Sequence, residues 1–187
     1  VINCKTASGF RSMYSNTTGD QNVANGNNSM YSNTTGTYNT ATGAYSLYKG
    51  TTSSENTANG YSSLKENTTG SANTALGYKS GDVITTGSNN VVLGTSADPS
   101  ANSASNQIVI GANAVGHGDN ITVIGNTDMT AIHPADDDGV DLGSSSYEFK
   151  NLYVDGVAYL DGFDLNGTIV SATAGEINIL DGITATT

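Results

Sequence analysis

The chain has 187 residues, with Gly, Asn, Ser and Thr abundant, no Trp, three Phe and two Pro. Seventeen acids against six bases give a formal net charge of −11, the wrong sign for a nucleic-acid partner and a common device for keeping a long exposed surface soluble. A single cysteine, Cys4, excludes an intrachain disulfide, and no apolar run approaches the ~20 residues of a membrane span, so membrane insertion is not expected.

A chain this polar lacks the apolar area to offset ordering entropy of roughly 1–2 kcal/mol per residue, which would predict disorder. Its repeat reverses that expectation. Gly9, Gly26, Gly43, Gly60, Gly77, Gly94 and Gly111 stand seventeen residues apart, and a step of fourteen reaches Gly125. A fixed period this short predicts a solenoid, each repeat one coil stacked on its neighbours. Residues 1–126 form this repeat domain, about 35 Å long if each coil advances ~4.8 Å. Burial beyond what one chain supplies predicts an obligate oligomer.

The strand column before each glycine reads Ala7, Ala24, Ala41, Ala58, Ala75, Val92, Val109 and Val123. Residues two apart share a strand face, so the flanking columns form the opposite face. They run from Thr6, Val23 and Thr40 through Ile108 to Thr122, and from Ser8, Asn25 and Thr42 to Ile124. In the later coils both faces are apolar, as in Val91-Val92-Leu93 and Ile108-Val109-Ile110, which predicts burial on both. One face can fill the coil and the other can meet an identical chain. The alanine column belongs to a tight packing surface, on either side.

Asn22, Asn39, Asn56, Asn73 and Asn90, continued by Gln107, make a second column. Stacked amides can hydrogen-bond along the stack; asparagines chosen for turn entry give the same pattern. In the other half of the unit, Met13, Met30, Leu47 and Leu64 form an apolar column read as an inward plug. Tyr14, Tyr31 and Tyr48 follow them and should point outward, where a phenol suits a partly wet surface. They are the candidate contact stripe, for a neighbouring subunit or for a ligand. Thr17 and Thr18, repeated through Thr85 and Thr86, raise the idea of ice binding. Adjacent residues on a strand point to opposite sides, however, so Thr17 and Thr18 cannot both display their hydroxyls on one face, which argues against it. The sequons at Asn16, Asn27, Asn33, Asn67, Asn120 and Asn166 are expected by chance in such a composition.

Units of the kind Tyr45-Ser46-Leu47-Tyr48, Asn67-Thr68-Thr69-Gly70 and Asn73-Thr74-Ala75-Leu76-Gly77 resemble the head repeats of trimeric autotransporter adhesins and the related repeats of bacteriophage tail and neck fibres. The resemblance covers about Lys5 to Gly125, and the fourteen-residue step matches the shorter adhesin repeat. It implies an all-β, left-handed parallel β-roll in which three chains pack side by side. Asn25, Thr42 and Asn59 replace the Ile common at that position, a departure that bears on the dryness of the early core and not on the coil itself.

Residues 127–140 read as a connector with His133-Pro134 and the run Asp136-Asp137-Asp138. Residues 141–187 then read as a trimeric, β-rich fibre segment. Asp141-Leu142-Gly143-Ser144 through Phe149-Lys150-Asn151-Leu152-Tyr153 resembles a segment of phage tail-fibre proteins. Thr173-Ala174-Gly175-Glu176-Ile177-Asn178-Ile179-Leu180-Asp181-Gly182 resembles another, read as a short helical turn. Together these resemblances imply a virion fibre, with two identical chains, other virion proteins and a host surface glycan or protein as partners. The alternative is the head of an adhesin on a bacterial outer surface.

Catalysis needs convergent acid, base or nucleophile groups. His117 and His133 lie in glycine-rich and connector sequence without a recognisable partner, so no enzyme, cofactor or metal is expected. Asp136, Asp137 and Asp138 lack the alternating spacing of a calcium loop and read as a solvated turn.

Overall fold

The computed structural model describes residues 5–135 and 141–156, and the backbone of 164–165 and 168–169. Among the described residues the chain is all-β, with no helix. It divides into two compact units, Val1–Ile132 and His133–Thr187.

The first unit is a parallel β-solenoid. Its strands are β1 (Lys5–Ser8), β2 (Asn22–Asn25), β3 (Thr40–Thr42), β4 (Thr57–Asn59), β5 (Thr74–Leu76), β6 (Val91–Leu93), β7 (Ile108–Ile110) and β8 (Thr122–Ile124). They form one sheet in chain order. Ala41 pairs with Ala58 and Ala58 with Ala75, seventeen residues apart, whereas Val109 pairs with Val123, fourteen apart. The sequence period is therefore the register of the sheet.

Each strand ends because its glycine turns with φ between 89° and 148°, a region that side chains disfavour. Space forbids a side chain as well. A Cβ on Gly60 would stand 2.2 Å from the Gly77 carbonyl oxygen of the next coil. The glycine comb is thus a line of backbone-on-backbone contacts, and each tooth is required by the one above it.

Beyond the glycine the coil closes through turns, not a second strand. Tyr45 and Leu47 hold φ of 58° and 49°, left-handed conformations that cost roughly 1–2 kcal/mol each. Hydrogen bonds between coils offset that cost: the Tyr45 N–H donates to the Asn27 carbonyl and the Leu47 N–H to the Ser63 carbonyl, both at 2.9 Å.

The interior is narrow. The alanine column from Ala24 to Ala75 is fully buried, as are Val92 and Val109, so the tight packing surface is the inside of the coil. Met30, Leu47 and Leu64 face it, fully buried, as the plug expected of them. Burying one such side chain is worth roughly 1.5–3 kcal/mol, so each coil makes its own small contribution to the core. Asn25 and Asn59 are exposed on the outer strand face, so the early coils have polar exteriors and a dry alanine interior. The polar residues at these positions leave the interior apolar because they alternate with Ala24 and Ala58 along the strand.

The asparagine column is a buried ladder. Asn39 Nδ2 donates to Asn22 Oδ1 at 3.1 Å, and the Asn39 backbone N–H to the same oxygen at 2.9 Å. The motif repeats at Asn56, Asn73 and Asn90. Each amide also ties its own coil across a turn, as Asn39 Nδ2 does to the Ser53 carbonyl at 2.8 Å. The two readings of this column are one device. Gln107 ends it, its side-chain N–H donating to Ser100 Oγ and Asp119 Oδ1.

In the second unit, Ser144 and Tyr147 form an isolated antiparallel bridge. The two-residue strands β9 (Asp164–Leu165) and β10 (Thr168–Ile169) pair antiparallel. Tyr147, Phe149, Leu152 and Tyr153 are exposed. The expectations for Asp136–Asp138 and for a helical turn over Thr173–Gly182 fall outside the described residues.

Candidate functional site: an aromatic run across the coils

Tyr14, Tyr31 and Tyr48 point outward and stack. Their ring centroids are 5.2 and 5.3 Å apart, with interplanar angles of 4° and 20°. In the next coil Lys65 occupies the tyrosine column, yet the aromatic run continues by changing column, which sequence columns alone do not reveal. Tyr45 meets Tyr48 edge-on at 5.6 Å and Tyr61 at 6.0 Å, and Tyr61 stacks on Tyr78 at 5.4 Å. Six tyrosines form one strip over five coils. The signal in the sequence was the second seventeen-residue pair, Tyr61 and Tyr78, with Tyr45 between the columns.

The strip gathers cations. The Arg11 guanidinium lies over the Phe10 and Tyr14 rings, at 5.0 and 5.8 Å, and the Lys79 ammonium lies 5.7 Å from the Tyr78 centroid, within cation–π range. Lys49 is paired with Glu66, and Lys65 stands 3.7 Å from the same carboxylate. Where the column changes there is a cleft of about 330 Å³ lined by Tyr45, Tyr48, Tyr61, Ser62 and Lys65.

The threonine pairs lie in a bend, not on a strand, so alternation of faces does not apply to them. Their geometry still consumes one hydroxyl of each pair: Thr34 Oγ1 donates to the Thr51 carbonyl and Thr68 Oγ1 to the Thr85 carbonyl, both at 2.9 Å. These hydroxyls close the coils.

The outer strand face of the later coils carries an apolar ladder. Leu76, Leu93, Ile110 and Ile124 lie in register, with Val91 and Ile108 beside them. Within one chain Leu76 is 51% exposed and Ile124 50%.

Two carboxylates are perturbed by burial. It pushes Asp98 up to about 6, with the neighbouring Asp82 charge adding to the shift and the Val83 N–H opposing it. Burial also raises Asp82, against the nearby Lys79. Asp119 is lowered by the Ser105 N–H and the Gln107 amide that donate to it. No group of three or more His, Cys, Asp or Glu able to hold a metal ion occurs among the described residues. His117 and His133 are both exposed.

No protein-family model matches the chain, and neither does any curated protein or solved structure.

Proposed function

We propose that this chain is a segment of a homotrimeric fibre, a rigid shaft of the kind bacteriophages carry on tail or neck, acting as spacer and as a surface for host contact. The observation that carries the reading is the outer apolar ladder of Leu76, Leu93, Ile110 and Ile124. A contiguous apolar ladder open to water marks an interaction surface, and a repeat in register offers identical copies the same ladder. Three left-handed rolls side by side, as the resemblance to adhesin heads and phage fibres implies, would bury it. The second unit fits this picture through its resemblance to tail-fibre segments, with other virion proteins as end partners. Rigidity comes from hydrogen bonds between every pair of coils, and avidity from weak contacts repeated on three chains.

Light scattering of the folded protein tests the trimer. The expected mass is three times the 19.0 kDa chain, and a folded protein of single-chain mass sinks the proposal. Leu93→Asp with Ile110→Asp places charges on the ladder without touching the coil interior. The double variant should scatter as a folded single chain.

A further inference from the structure

In a tyrosine stack, interior rings have both faces covered by their neighbours, as Tyr31 has by Tyr14 and Tyr48. Faces become available only where a stack ends. The parallel stacking has one internal break, between Tyr48 and Tyr61, where Lys65 and not tyrosine follows Tyr48 in its column and Tyr45 meets both rings edge-on, leaving Tyr61 46% exposed. The cleft lies at that break. Ring faces beside a few convergent polar groups are how binding clefts take small amphipathic ligands. Among the described residues no protein group hydrogen-bonds the hydroxyl of Tyr45, Tyr48 or Tyr61.

Charge narrows the ligand class. The chain has six bases in all, and four of them, Arg11, Lys49, Lys65 and Lys79, lie on or beside the tyrosine strip. A chain of net charge −11 thus places most of its cations along this strip. Lys65 lines the cleft itself, and the two carboxylates near it are shared with other cations: Glu66, at 3.7 Å, is paired with Lys49, and Asp82 also feels Lys79, exposed contacts of the kind that hold an ammonium weakly.

We propose that the cleft binds one carboxylated sugar, a uronic-acid-type residue of an acidic glycan. Its apolar ring face lies against Tyr48 or Tyr61, its hydroxyls meet the tyrosine hydroxyls and Ser62, and its carboxylate pairs with Lys65. This deepens the fibre reading and rests on it only in that an exposed shaft gives such a site access to a host surface. Three equivalent sites would follow from a trimer, so weak single contacts suffice.

The test titrates the full chain with a defined oligogalacturonate and with the same oligosaccharide after carboxyl reduction, by calorimetry, with light scattering on every sample. Wild type should bind the acidic form more tightly than the reduced one. Tyr48→Ala and Tyr61→Ala should each weaken binding of the acidic form about tenfold, a change of ~1.4 kcal/mol. Lys65→Gln should abolish the preference for the carboxylate yet keep the binding shared with the reduced sugar. Tyr14→Ala, at the far end of the strip, should change nothing. No binding of either sugar, or binding indifferent to Tyr48→Ala and Tyr61→Ala, overturns the proposal. Dissociation of the assembly by those variants also overturns it, by assigning the strip to a subunit contact. A wild type that is monomeric yet binds as described removes the trimer and leaves the site standing.

Discussion

Asn73 donates twice to one atom of Asn56: its backbone N–H and its Nδ2 reach Asn56 Oδ1 at 3.0 and 3.2 Å. The Asn56 amide in turn donates to the Gly70 carbonyl at 3.0 Å. One fully buried side chain therefore satisfies groups in its own coil and in the next.

Asn56→Ala strands the buried Asn73 N–H, whereas the Gly70 carbonyl keeps the Asn67 amide as a donor at 2.9 Å. A buried polar group left without a partner costs about 1–3 kcal/mol, and the variant should lose about that much. Urea unfolding is the check: the midpoint should fall with an unchanged slope, since the surface exposed on unfolding hardly changes. A loss under ~1 kcal/mol would mean that solvent reaches the ladder.

Buried polar atoms without a partner mark places where the repeat has drifted. Asn33 Nδ2 donates to Asn16 Oδ1 at 2.7 Å, but Asn33 Oδ1 has no donor of its own, because Gly50 stands where the next asparagine would be. Ser53 Oγ is likewise unpartnered, in a slot that is glycine in Gly19, Gly36 and Gly70. The two departures compensate, since a Cβ on Gly50 would lie 2.7 Å from Ser53 Oγ. Gly50→Asn alone should destabilise. Gly50→Asn with Ser53→Gly restores the neighbouring pattern and should recover the loss and add about 1 kcal/mol, one hydrogen bond. A thermal-melt double-mutant cycle reads the coupling, and additive effects would show that the two sites do not compensate.

Asp98 makes stability depend on pH. Its folded carboxyl is raised from 3.8 to about 6, so the folded state holds that proton more tightly than the unfolded state. Where the native state binds more protons, stability falls as pH rises. The contribution is therefore present below about pH 4 and lost as pH passes through about 6. Asp98→Asn should be more stable than wild type at pH 7.5 and should show a smaller difference between pH 7.5 and pH 4.5. Denaturant midpoints at the two pH values decide it; a variant with the wild-type pH dependence would show that another group is responsible.

The solenoid was legible because each column repeats one physical demand. Ala58 above Ala41 and Leu64 above Leu47 fill the same slot one coil apart, and a slot that recurs can be read without coordinates. What could not be read depends on contacts between columns. Gly81 falls in the plug column and supplies no side chain, and Ile84, from the column of Asn33 and Asn67, is fully buried in its place. A Cβ on Gly81 would be 3.4 Å from Ile84 Cδ1, which shows the two sharing one volume. The tyrosine strip changes column for the same kind of reason. Tyr45 and Tyr48 meet across a turn shaped by two left-handed residues, Tyr45 and Leu47, which recurs at Asn28 and Met30 and at Ser62 and Leu64, and reading down single columns does not show which side chains it brings together. The apolar outer face was visible as Ile108 and Ile110 flanking Val109, and the structure adds how open it stays in a single chain.

The register of β2 through β7 has a consequence for length. Each strand pairs with residues one full period away, so every coil is both template and copy. Adding or removing seventeen consecutive codons moves the end of the solenoid by one step of ~4.8 Å and keeps the strand register. A change of length within a strand or its glycine turn sets alanine over threonine and glycine over a side chain, whereas the fourteen-residue step from Val109 to Val123 shows that the far turn can shorten and keep the register. The molecule is a ruler whose smallest division is written in the gene.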